Sequence, residues 1–365
     1  MQNHTSTPDS KACLIETFES NMDFSPSTDL IRKPIIPAFH TQAMRMASGS
    51  ENILLLDLDN TLTDTRRWFA SFILEATSEL ADALGACPKV VNSLYAEVAS
   101  ATTLHEYAYV VEAICSRLRM QQSLSYKAIA EISHQFWNRF AREHEKIELY
   151  DGVIATLTEI RSRFKELKIV ILTDSPEWVA LERLAITGIL PLVDGVVAIR
   201  TDDPKLRQRG YRECIKIARQ RVDAKQSKVD KKHLLLNASI PAAFAKPSSA
   251  GIELIARKFG AVNGQLIICG DKDTKEGQAA AQWRKRRHLL NMPESRIHYV
   301  RANYGNHDLH HETYAELARH IPSLSGSKSK NTPAVPLLSS IERFDHLLHV
   351  LAEALSDRDR KPAVA

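Results

Sequence analysis

The sequence predicts an α/β fold: a Rossmann-like doubly wound parallel sheet with an inserted all-helical cap domain. Three observations predict it. Short, continuously apolar runs such as ILLL (53–56) and VIL (170–172) recur and end abruptly in polar residues, as strands buried on both faces do. Amphipathic helical patterns separate most of these runs. Between the first and second runs, residues 66–149 hold helical patterns and no strand signal.

Taken in order, residues 1–50 are rich in Ser, Thr, Pro and Asn without periodicity and are expected to form a floppy extension. Met44 and Met46 stand just before the first strand as alternative starts. Ile53 to Leu56 opens the sheet. Phe69, Phe72, Ile73, Ala76, Leu80 and Leu84 then follow helical spacing and stop at Gly85, with Pro88 beyond. Three more helical patterns follow, on Val90 to Val98, Leu104 to Leu118 and Ile129 to Phe140. GVIATLTEIRSRF reads as a helix and KIVILTDS as the second strand, with Ser175-Pro176 as cap and first turn of the next helix.

A third strand is expected at 194–199, a strand-like HLLLN at 233–237, and a helix on AKPSSAGIELIARKFG capped by Ser248 or Ser249 and closed by Gly260. QLIICGDKD and RIHYVRANYG read as further strands, and IERFDHLLHVLAEAL as a final amphipathic helix. The expected domains are a core at 51–65 and 150–355, with a basic insert at 200–240 and a linker at 324–333. The cap is 66–149, the tail 356–365.

Composition excludes several classes. The chain has 365 residues, 44% hydrophobic and 25% charged, as in an ordinary soluble protein. No apolar run is long enough to span a membrane and no signal or transit pattern opens the chain, so a cytoplasmic location is expected. The cysteines (Cys13, Cys87, Cys115, Cys214, Cys269) are scattered and odd in number, which suits neither a disulfide framework nor a zinc site. A net charge of +4 does not by itself call for nucleic acid. The tract from Lys205 to Lys232 carries eleven Lys or Arg, and WRKRRH (283–288) is a second basic run; both are read as solvated faces. NHDLHH (306–311) has no standard metal spacing and is read as a polar loop.

The chemistry sits where strands end. Asp57 and Asp59, at i and i+2 in DLDNT, are expected on one side of the first strand, where mutual repulsion raises the pKa of one of them unless a cation intervenes. One could then act as an ionised nucleophile and the other carry a proton as general acid. GDKDTKE adds Asp271, Asp273 and Glu276, enough hard oxygens for Mg2+. Lys246 and the Thr173 hydroxyl could hold phosphate oxygens.

In order and setting these motifs resemble the haloacid dehalogenase superfamily of aspartate-nucleophile hydrolases: DLDNT, VILTD, the Lys of AKP and GDKDTKE. The resemblance runs from about Glu51 to about Leu355 and points to the phosphatase branch with a helical cap between the first and second motifs, as in phosphoglycolate phosphatase-like and nucleotidase-like members. It implies Asp57 as the nucleophile that becomes an aspartyl-phosphate and also binds Mg2+. It implies Asp59 as acid and then base, with its backbone carbonyl on the metal. Thr173 would bind phosphate, Lys246 would neutralise nucleophile and phosphate, and Asp271 would complete the metal ligands. Pro247 is expected to hold Lys246 extended. Either Asp273 or Glu276 supports the metal shell; the spacing leaves both open. Dehalogenases lack an acid where Asp59 stands, because halide leaves without a proton.

The expected function is therefore magnesium-dependent hydrolysis of a small phosphorylated metabolite. The alternatives are a regulatory or binding protein on the same fold, and a phosphatase acting on nucleotides or nucleic-acid ends, which only the basic tracts support.

Overall fold

The computed structural model describes residues 51–102, 106, 108–120, 123–200, 220, 224, 229–289, 296–305 and 336–356. The N-terminal extension, nearly all of the basic tract, the NHDLHH stretch, the linker and the tail beyond Ser356 lie outside the described residues. So do Cys13 and Cys214.

Among the described residues, seven strands form one all-parallel sheet: β1 Ile53–Leu56, β2 Lys168–Pro176, β3 Gly195–Ile199, β4 Leu236–Ile240, β5 Gln265–Gly270, β6 Arg296–Ala302 and β7 Leu337–Ile341. Their order is β4-β3-β2-β1-β5-β6-β7. The chain builds outward from β1 on one side, then crosses over and builds outward on the other. The direction reverses between β1 and β5, and in doubly wound sheets ligands bind beyond the strand ends at that switch point. β1, β3 and β5 are buried along their whole length, which is why they read as unbroken apolar runs.

Between β1 and β2, ahead of the helix that leads directly into β2, four helices form the insertion that the periodicity predicts: α1 Thr65–Leu84, α2 Pro88–Thr102, α3 Val110–Arg117 and α4 Tyr126–His144. Gly85 ends α1 in the left-handed conformation at φ 60°, and its N–H bonds back to Asp82. Ser125 caps α4 by accepting from the Ala128 N–H at 3.2 Å. The helices share an apolar core in which Phe72 packs edge-on to Phe136 and Phe140, and Trp137 meets Trp178 with ring centroids 5.2 Å apart. Trp178 and Val179 belong to α6 (Glu177–Ile186), which follows β2, and Ile199 to β3. The inserted helices thus bury apolar surface against the sheet layer, and both fall in one compact unit, Ser48–Ala365.

The other helices are α5 Val153–Arg163, α7 Ala250–Lys258, α8 Gln278–Leu289 and α9 Leu347–Ser356. Four expectations need correction. β4 begins at Leu236, three residues beyond the start of HLLLN, where its register places Leu236 beside Gly195. β7 was not expected: its Leu337 and Leu338 are exposed at the sheet edge, its last residue Ile341 opens the segment expected to be helical, and α9 starts only at Leu347. A strand with one bare face and one bare edge has no continuous apolar run to betray it. Ser175 does not cap α6, for its hydroxyl is committed to Asp59. In the WRKRRH run Arg284, Lys285 and His288 are exposed as expected, but Arg287 is buried, its guanidinium 5.6 Å from the Trp283 ring centroid. Among the described residues Cys87, Cys115 and Cys269 are free thiols, and no helix is long and apolar enough to cross a membrane.

Candidate active site

β1 ends at Leu56, which stands in register with Ile171 of β2 on one side and Cys269 of β5 on the other. Residues just past these rows therefore converge: Asp57 from β1, Thr173 and Asp174 from β2, Asp271 from β5. The Asp57 N–H donates to the Cys269 carbonyl at 2.9 Å and fixes the nucleophile candidate at the switch point.

Beyond Asp57 the chain turns at once. The N–H groups of Leu62 and Thr63 both donate to the Leu58 carbonyl, at 2.9 and 3.1 Å, and Asn60 takes φ 60°, a left-handed conformation that Asn tolerates better than most residues. The Tyr304 hydroxyl braces the turn by donating to the Thr61 carbonyl at 2.8 Å. Because β1 ends at Leu56, strand alternation does not govern the two acids, and they enter different surroundings.

Asp57 is 7% exposed and faces Lys246, whose Nζ stands 2.5 Å from Asp57 Oδ1 and 2.5 Å from Glu276 Oε1 and donates to the Leu172 carbonyl at 3.1 Å. The Lys246 N–H donates to Asp174 Oδ1 at 2.9 Å, while Asp174 Oδ2 accepts from Lys275 Nζ at 2.8 Å. Asp174 thus anchors two lysine segments and does not cap the next helix. The Lys246–Pro247 peptide bond is cis. Thr173 is buried, and its Oγ1 accepts from the Ser175 N–H at 3.1 Å.

Carboxylate oxygens of Asp57, Asp271 and Glu276 lie within 4.8 Å of one another, all three residues being buried. Asp273 turns away to a two-nitrogen ion pair with Arg301, Nε to Oδ1 at 2.7 Å. Of the two open candidates, Glu276 joins the cluster. Three buried carboxylates around a single ammonium leave a net negative charge, and such a hard-oxygen set fits a divalent cation such as Mg2+. Gly270 makes room for it, because a Cβ there would overlap the Glu276 side chain. Gly270→Ala is expected to push Glu276 out of the cluster and weaken Mg2+ affinity by about tenfold, the scale of a disturbed metal shell. Isothermal titration with Mg2+ checks this; unchanged affinity would remove Glu276 from the cation site.

Electrostatics separate the two acids. Burial pushes the Asp57 carboxyl well up, against the pull of the neighbouring Lys246. Burial also acts upward on Asp59, but Arg183, then hydrogen bonds from Ser175 and Thr65, outweigh it and hold Asp59 below the usual carboxylate range. Lys246 is held well above its ordinary value, since Asp57, Glu276 and Asp174 outweigh its burial. The two acids are thus set apart by their partners, Lys246 on Asp57 and Arg183 on Asp59.

Residues 52–229 match the family model of haloacid dehalogenase-like hydrolases. Over that stretch, just under half of its length, the chain is similar to that family. Asp57, Asp59 and Thr173 lie inside the matched stretch, and the sheet carries Lys246 and Asp271 to them from beyond it. Similar solved structures include a HAD phosphatase from Thermococcus onnurineus, 15% identical, covering 82% of this chain and 97% of that one at a TM-score of 0.44. Another is a 2-haloacid dehalogenase from Pseudomonas syringae, 13% identical, covering 83% and 99% at a TM-score of 0.45. No curated protein matches the chain significantly. The choice of reaction therefore falls to this protein's own residues.

Sequence reading missed Arg183, Glu106, Asp174 as an anchor, and Lys275. Arg183 left one signal: it occupies the buried stripe of α6, four residues after Val179 and next to Leu184, where an unpaired cation would be too costly.

Proposed function

We propose that this protein is a Mg2+-dependent phosphatase acting on a small phosphorylated metabolite through an aspartyl-phosphate on Asp57. The observation that carries the reading is the Lys246 ammonium, held between Asp57 and Glu276 at 2.5 Å from each beside buried Thr173 and Asp271. A carboxylate can approach a phosphate dianion only where positive charge offsets their repulsion. Asp57, Asp271 and Glu276 would hold Mg2+, which when bound supplies further positive charge to the phosphoryl oxygens.

In the first half-reaction an Asp57 oxygen forms a bond to phosphorus as the ester P–O bond breaks, and the leaving alkoxide takes a proton from Asp59. In the second, Asp59 removes a proton from water, whose oxygen attacks phosphorus and releases phosphate and free Asp57. Lys246 stays on Asp57 throughout, and the Thr173 hydroxyl is placed to bond a phosphoryl oxygen. Asp59 also supports phosphate over halide as the leaving-group class, since only an alkoxide needs that proton. The four inserted helices, residues 66–149, would serve as a cap that excludes water. A cytoplasmic location accords with the sequence.

The test is p-nitrophenyl phosphate hydrolysis with Mg2+ and with excess chelator. Metal-dependent turnover is expected in wild type, and its absence would sink the reading. Asp59→Asn should slow alkyl phosphates about tenfold more than p-nitrophenyl phosphate, because nitrophenolate leaves without help. Equal losses would leave Asp59 no role as proton donor.

A further inference from the structure

Arg183 is fully buried on α6, yet its guanidinium joins segments far apart in the chain. Nη1 donates to the Asp59 carboxylate, Nη2 donates to Glu106 Oε1 at 2.9 Å, and Nε donates to His144 Nε2 at 3.0 Å. Glu106 lies between α2 and α3, and His144 is the last residue of α4, so two separate points of the helical insertion grip one arginine. An N–H donor requires a bare Nε2, which assigns the imidazole proton to Nδ1, facing Glu182 Oε2 at 3.4 Å. Thr65 at the start of α1 donates to the same Asp59 oxygen that Arg183 reaches, at 2.8 Å, and Ser175 holds the other. Asp59 is clamped from the insertion, the second motif and α6 together.

We infer that Arg183 is a positioning residue: it sets the Asp59 carboxylate and makes that setting depend on the insertion being docked through Glu106 and His144. A planar guanidinium is rigid, so fixing two of its nitrogens fixes the direction of the third. Withdrawal of Glu106 would free the fork to turn, and Asp59 would lose its reference. Lysine, a single point charge on a flexible stem, cannot reach three partners at once.

The inference rests on the phosphatase reading, and kinetics of Arg183→Gln, Arg183→Lys, Glu106→Gln, Asp59→Asn and the double variant Asp59→Asn/Arg183→Gln separate the two. Wild-type enzyme must first turn over p-nitrophenyl phosphate with Mg2+; if it does not, the phosphatase reading fails and takes the inference with it. Given that turnover, Arg183→Gln is expected to lower kcat by about ten- to a hundredfold with KM within about twofold, since what is lost acts in the transition state. Arg183→Lys should not rescue it. The double variant should be no slower than Asp59→Asn alone, because Arg183 acts only through Asp59. Losses that multiply in the double variant, or a folded Arg183→Gln with wild-type kcat, overturn the inference while leaving the phosphatase reading standing. Should Arg183→Gln fail to fold, near-isosteric Glu106→Gln decides: a severalfold loss of kcat that Asp59→Asn absorbs supports the inference, and no loss or a multiplicative one overturns it.

Discussion

Asp57→Asn is expected to abolish phosphatase turnover, by a factor on the order of 10^3 or more, while the protein stays folded. A neutral amide oxygen cannot form the acyl-phosphate bond, and no second carboxylate occupies its place: Asp59 is tied to Arg183, Ser175 and Thr65, and Asp273 to Arg301. The fold survives because Asn has the same shape and Lys246 keeps Glu276 at 2.5 Å. Circular dichroism and a urea unfolding curve establish the fold, and acid-quench trapping with 32P-labelled substrate should show covalent label in wild type and none in the variant. Turnover retained in Asp57→Asn would end the aspartyl-phosphate mechanism.

Lys246→Met is expected to have the next largest effect, and on stability as well as rate. Its ammonium is the only cation within hydrogen-bond distance of Asp57 among the described contacts, and Asp271 and Glu276 are buried beside it. Removing one member of a buried ionic group leaves the other charges uncompensated, at a cost of about 3–5 kcal/mol. Chelator-treated variant should therefore unfold at clearly lower urea than wild type. Added Mg2+ should recover part of the loss, since a divalent cation can take up the charge that Lys246 no longer balances. Turnover should fall by about 10^2-fold even at saturating Mg2+, because the charge facing the incoming phosphoryl group is gone. A Lys246→Met protein as stable as wild type in chelator would show that the three acids are not held together by this lysine.

Gly270→Ala and Lys246→Met approach the same cluster from opposite sides. The first crowds Glu276 by steric overlap, the second frees it electrostatically, so only the second should lower stability more in chelator than in Mg2+.

Much of this protein was legible in its sequence, for physical reasons that differ from element to element. β1, β3 and β5 are buried on both faces, so their sequences have to be apolar throughout, and a run of that kind between polar turn formers has few other readings. The helices α1, α2 and α4 bury one stripe each, and a stripe at 3.6-residue spacing survives in the sequence. Asp57, Thr173, Lys246 and Asp271 could be named because chemistry at a parallel-sheet edge has to be supplied by residues just past strand ends. β7 escaped because an exposed edge strand needs no apolar run, and the start of β4 was misjudged because Leu234 and Leu235 are as apolar as Leu236 but stand outside its ladder.

The sequence by itself determined the order of elements and the list of acids and bases, because those depend on local periodicity and on residue type. Only the tertiary structure decided which charges meet. Glu276 rather than Asp273 joins Asp57 and Asp271 because Arg301 on β6 claims Asp273. Asp59 rather than Asp57 is the more acidic of the pair because Arg183, 124 residues further on, reaches Asp59. Coulomb interactions depend on distance through space and on burial, and neither quantity is written in the spacing of residues along a chain.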